Sequence, residues 1–132
     1  MTRVGIISDT HGRLKPTAVE ALQGVDHVIH AGDIGLPQVL FDLEAIAPVT
    51  AVLGNNDHFT DFGPGVDEEA RVNLGGVDIF VTHYPKIAEK AAASGKYGLV
   101  VHGHSHVPRD EMVGGCRIIN PGGAFRPRCG ST

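Results

Sequence analysis

Seven side chains able to hold a cation stand at five separate places in this chain of 132 residues. Asp9 and His11 lie in SDTHG, Asp33 in HAGD, Asn55 in LGNND, His83 in VTH, and His104 and His106 in HGHSH. Carboxylate, imidazole and amide donors together suit borderline dications such as Mn²⁺, Fe²⁺, Co²⁺, Ni²⁺ or Zn²⁺. No thiolate is among them, which separates the set from a Cys-based structural zinc site. If Asp9 and Asp33 were the only anionic ligands to two dications, an excess of about +2 would remain. That excess suits a phosphate anion and keeps the ions Lewis-acidic. A lone Asp-x-His or Gly-His-Ser-His is an ordinary turn. The joint occurrence carries the signal.

The elements that must position these groups are legible in outline. Residues 3–8, 26–31, 49–53 and 99–102 are short apolar runs of strand type, and Gly75-Gly76 joins strands over 70–74 and Val77–Thr82 into a hairpin. A second hairpin, 111–113 with 116–119, turns at Gly114-Gly115. Helices are expected over 16–24, where Pro16 suits the first turn, over 36–46, whose apolar stripe Pro48 stops, and over 85–94. The tail NPGGAFRPRCGST, dense in Gly and Pro, is expected to be irregular. Every candidate ligand group follows the carboxyl end of a strand, the edge where open α/β sheets bind ligands. The fold expected is α/β, two mixed β-sheets packed as a sandwich flanked by helices, within one domain spanning 1–132.

Bulk properties exclude several function classes. Trp is absent, aromatics make up 5% and the net charge is −4, so no broad nucleic-acid surface is expected. No apolar run approaches the roughly 20 residues of a membrane span, and the N-terminal apolar stretch is too short for a signal peptide. Cys116, a strand residue, and Cys129, a tail residue, are expected as free thiols in a cytoplasmic protein. Exposed hairpin edges leave room for a homodimer.

The ordered set D-x-H, G-D, G-N-x-D, H, G-H-x-H resembles the calcineurin-like metallophosphoesterases, and within them the small single-domain phosphodiesterases related to the retromer subunit. The resemblance runs from Arg3 to about Gly123. It implies that Asp9, His11 and His106 bind a first metal, that Asn55, His83 and His104 bind a second, and that Asp33 bridges them. Asp33, Asn55 and His83 are then the residues closest to catalysis. The implied reaction is in-line attack of a metal-bridging hydroxide on a small phosphate ester, with Mn²⁺ the first-expected ion of the pair. Many members carry a His after Gly-Asn where this chain has Asn56. That favours diesters and leaves His58 as the alternative proton donor if its loop folds inward. Where the family usually has Gly after the histidine that matches His83, this chain has Tyr84-Pro85, a change that narrows the cleft or alters its floor. The alternatives are a metal-dependent phosphomonoesterase or nucleotidase, and a retromer-like protein-binding scaffold.

The remaining polar residues have plainer readings. Asp57 either supports a ligand loop or stabilises its own turn. His27, His30 and His102 are read as packing or backbone-bonded histidines, Arg13 as a surface cation, and Arg126 and Arg128 as tail charges.

Overall fold

The computed structural model describes residues 3–55, 57, 62, 66–104, 109–121 and 126–129. In chain order these form β1 (Arg3–Ile7), α1 (Pro16–Ala21), β2 (His27–His30), α2 (Pro37–Glu44), β3 (Val49–Ala51), β4 (Glu69–Leu74), β5 (Val77–Thr82), α3 (Pro85–Ala93), β6 (Leu99–Val101), β7 (Arg109–Val113), β8 (Cys116–Asn120) and β9 (Arg126–Cys129). Each helix starts at its proline, whose fixed φ suits the first turn and whose missing N–H costs nothing there.

Two mixed sheets result. One has the order β3-β2-β1-β9, with β1, β2 and β3 parallel; the other has β4-β5-β6-β8-β7, with β5, β6 and β8 parallel. The two sheets face each other through Val4, Ile6, Ile29 and Val52 on one side and Ile79, Val81, Leu99, Val101 and Ile119 on the other. The opposite face of the first sheet presents Ile7, Val28 and Ala51 to Leu22, Val39, Leu40 and Leu43 of the α1 and α2 layer. The opposite face of the second presents Phe80, Val100 and Ile118 to Ala88 and Ala92 of α3. Both faces of each sheet are therefore covered, which is why the central strands read as apolar runs. Each fully buried Ile or Val contributes about 1.5–3 kcal/mol.

One expectation is overturned. The tail is not irregular throughout: β9 lies antiparallel to β1, with Gly5 opposite Pro127, and it contains Cys129. A proline reads as a strand breaker, but at a sheet edge only one side of the strand needs ladder bonds, so Pro127 is tolerated. The helices are also shorter than their apolar stripes. The stripe over 36–46 narrows to α2 because Leu36 is the extended cap and the chain leaves the helix at Ala45.

Candidate metal centre

Three ligand groups meet on a buried floor. One donor atom each from Asp9, Asp33 and His83 lies within 4.8 Å of the others, and all three residues are buried. Two carboxylates buried this closely are costly without positive charge between them. His83 shows how the floor is set. Its Nδ1–H donates to the carbonyl of Ala31 at 2.8 Å, which leaves the Nε2 lone pair to face Asp33 Oδ2 at 3.6 Å. A backbone carbonyl that fixes a histidine tautomer in this way is a recurrent feature of metal-ligating imidazoles.

Three further groups close on this floor from the rim. His11 Nε2 is 4.0 Å from Asp33 Oδ2, and His104 Nδ1 is 3.3 Å from His83 Nε2. The end of the Asn55 amide lies 3.0 Å from His83 Nε2 and 3.2 Å from both carboxylate oxygens of Asp33. With its nitrogen turned inward the amide donates to these acceptors; with its oxygen inward it adds a further donor for a cation. His106, Asn56 and His58 lie outside the described residues.

The backbone holds these side chains in uncommon conformations. Among the described residues, four non-glycines have positive φ: Asp9 at 55°, His11 at 50°, Asp33 at 56° and His104 at 74°. All four are candidate ligands. Each such conformation costs on the order of 1–3 kcal/mol and persists only where the surroundings over-determine it. Here the two loops are laced together. The N–H groups of Asp9, His11 and Gly12 donate to the carbonyls of Gly32, Asp33 and Ile34 at 2.9, 3.0 and 2.7 Å. Gly54 has no Cβ because one would overlap the backbone N and Oδ1 of Asp33, and a Cβ on Gly32 would stand 2.6 Å from His83 Nδ1.

The donor set, its convergence and the fixed tautomer fit a divalent cation site. The sequence model of the calcineurin-like phosphoesterase superfamily domain matches residues 2–132. The chain belongs to that superfamily. It is 32% identical to a phosphodiesterase of Methanocaldococcus jannaschii, over 91% of this chain and 82% of that relative. A solved archaeal phosphodiesterase superposes with a TM-score of 0.79 at 31% identity, covering 92% of this chain and 84% of that one. Vacuolar Protein Sorting 29 of Cryptosporidium parvum shares the fold, with a TM-score of 0.78 at 24% identity over 92% and 74% of the two chains.

In this calcineurin-like phosphoesterase a layer of buried polar groups supports the candidate ligands. Asp57, fully buried, accepts from the N–H groups of Ile34, Gly35 and Gly54 at 3.0, 3.0 and 2.9 Å. It thus both stabilises its own turn and clamps the Asp33 loop to the Asn55 loop. Ser8 Oγ donates to Asp9 Oδ2 at 2.7 Å. His30 accepts the Gly32 N–H on Nδ1 at 3.1 Å, so its Nε2 carries the proton and donates to Thr10 Oγ1 at 3.0 Å. The Thr10 hydroxyl then donates to the Ile34 carbonyl at 2.9 Å. Burial pushes the His30 pKa down to about 4, against a smaller upward pull from Asp57. The ring is therefore neutral, as its hydrogen bonds require.

His102 Nδ1–H donates to the Gly103 carbonyl at 3.0 Å, and Asn120 Nδ2 donates to the same oxygen at 3.4 Å. Burial lowers the His102 pKa. His27 bonds Thr50 Oγ1 at 2.7 Å, and Arg13 is exposed. The backbone-bonded reading holds for His30 and His102, whereas the partner of His27 is a side-chain hydroxyl. The supporting roles of Thr10, Ser8 and Asn120 were not read from the sequence. Thr10 stands inside the DTH motif and was open to notice; Asn120 has no comparable local signal. Cys116 is a buried free thiol, and among the described residues no helix is long and apolar enough to cross a membrane.

Proposed function

We propose that the protein is a phosphodiesterase that uses two divalent ions, Mn²⁺ foremost, to hydrolyse a small phosphate ester. The observation that carries this reading is the buried meeting of Asp9, Asp33 and His83 donor atoms within 4.8 Å, with His83 Nε2 freed by the bond from Nδ1–H to Ala31. Asp9, His11 and His106 would hold one ion, Asn55, His83 and His104 the other, and Asp33 both. When bound, such ions polarise phosphate oxygens and lower the pKa of water toward neutrality.

The chain's own residues supply position and charge. Asp33 is locked by its own backbone conformation and by Gly54 against it. Asn55 brings an amide that neutralises nothing, so the site keeps its attraction for an anion. Position 56 is an amide rather than an imidazole and supplies no acid for a poor leaving group, which favours diesters with good leaving groups over monoesters. A cytoplasmic setting accords with the reduced, buried Cys116.

The test is metal analysis joined to hydrolysis of bis(p-nitrophenyl) phosphate. Two equivalents of Mn²⁺ and chelator-sensitive turnover are expected, with Asp33→Asn and His83→Ala folded but inactive. Equal rates with and without Mn²⁺ would contradict the reading. A second reading, a non-catalytic protein-binding role, draws on the likeness in fold to Vacuolar Protein Sorting 29. Weak ion binding without turnover would favour it.

A further inference from the structure

Tyr84 stands where the chain leaves the floor of the site. It directly follows His83 and caps the N-terminus of α3 with an extended backbone. That backbone is tied on both sides: the Tyr84 N–H donates to Thr82 Oγ1 at 3.4 Å, and its carbonyl accepts from Ala88 N–H at 3.0 Å. The phenol ring meets two candidate ligand rings. It lies edge-on to His83, with centroids 5.3 Å apart at 82°, and tilted against His104 at 5.7 Å and 52°. His83 and His104 themselves lie 5.1 Å apart at 77°. The residue is half-buried, and among the described residues its hydroxyl has no hydrogen-bond partner.

We propose that Tyr84 is a specificity-determining residue, forming an aromatic wall that stacks on the non-leaving organic group of the phosphodiester and selects esters in which that group is a flat ring. The inference rests on the phosphodiesterase reading above and extends it to substrate class: aryl or nucleobase-bearing diesters over simple alkyl diesters. An aromatic ring on a helix-cap residue, packed against two imidazoles, adds a π-surface at little further entropic cost. Ring pairs of this kind are worth about 2- to 12-fold in affinity beyond area burial. The unpartnered hydroxyl gives the wall a polar rim, but the selection comes from the ring.

The experiment compares p-nitrophenyl phenyl phosphate with p-nitrophenyl methyl phosphate on the Mn²⁺-loaded protein. Both release p-nitrophenolate, so the ratio of their kcat/KM values reports the non-leaving group. The wild type should favour the phenyl ester by about 2- to 12-fold. Tyr84→Phe should keep that ratio and Tyr84→Ala should bring it near one. An active wild type whose ratio is unchanged in Tyr84→Ala overturns the proposal and leaves the diesterase reading standing. A wild type inactive on both esters overturns the diesterase reading, and the proposal with it.

A second readout needs no turnover. The chain has no Trp and two tyrosines, so in Tyr97→Phe the only indole or phenol fluorophore is Tyr84. Phenylphosphonate should change that emission at about 2- to 12-fold lower concentration than methylphosphonate. Equal responses to the two would count against the wall.

Discussion

Asp9, Asp33 and His83 form a buried floor, whereas His11, Asn55 and His104 stand on an exposed rim. The floor is fixed before any ion arrives: backbone bonds between two loops, a single imidazole tautomer and close glycines leave its donors little freedom. The rim shares the strained backbone at His11 and His104, but its side chains lie in water. The difference separates two tasks. On the proposed reading the floor would set where charge must sit, and the rim would complete coordination once a cation is bound. Losses on the floor should therefore abolish function, whereas losses on the rim should weaken affinity.

The largest effect expected is at Asp33. Replacing it with Asn removes the charge nearest to both groups of ligands, and activity should fall by at least about 10²- to 10³-fold. Metal content should drop with little change in circular dichroism. A floor variant that kept full metal content would break the contrast with the rim. Beneath the floor, Asp57→Ala would strand the buried N–H groups of Ile34 and Gly54 and the part-buried N–H of Gly35. A loss of about 3–5 kcal/mol is expected by chemical denaturation, together with about 10- to 100-fold weaker metal binding by titration.

The His30 network makes the floor sensitive to acid. Its folded-state pKa of about 4 lies below the ordinary value of 6.5, with burial the main cause. Between these values the unfolded chain binds the extra proton and the folded protein does not, so stability rises with pH across the window. The contribution is intact above about pH 6.5 and is lost as pH falls toward 4, amounting to about 3 kcal/mol. Denaturation of metal-free protein across that range checks it, and His30→Gln should flatten the slope. On the rim, His104→Ala should change folding stability by less than about 0.5 kcal/mol. It should still weaken metal affinity, by about 10-fold, the lower end for perturbing a metal site.

Much of this was legible in the sequence because strand ends and candidate ligands coincide in single motifs. VTH joins the end of β5 to His83, and HAGD joins the end of β2 to Asp33. Pro16 marked the first turn of α1, and Pro85 the start of α3. What stayed hidden depends on pairing between segments far apart in the chain. β9 exists because β1 offers it a free edge, which a local reading of Gly and Pro does not reveal. The clamp made by Asp57 joins loops 23 residues apart, and its local pattern is that of a plain turn. The wall at Tyr84 was noticeable as an unusual residue after His83, but its contact with His104 follows only once β5 and β6 lie side by side.

The most direct test of the central claim is electron paramagnetic resonance of the protein loaded stepwise with Mn²⁺. At two equivalents per chain the account predicts an exchange-coupled spectrum from a pair of ions sharing Asp33, replaced by isolated-ion signals in Asp33→Asn. A wild-type spectrum showing only uncoupled Mn²⁺ at every loading would contradict it.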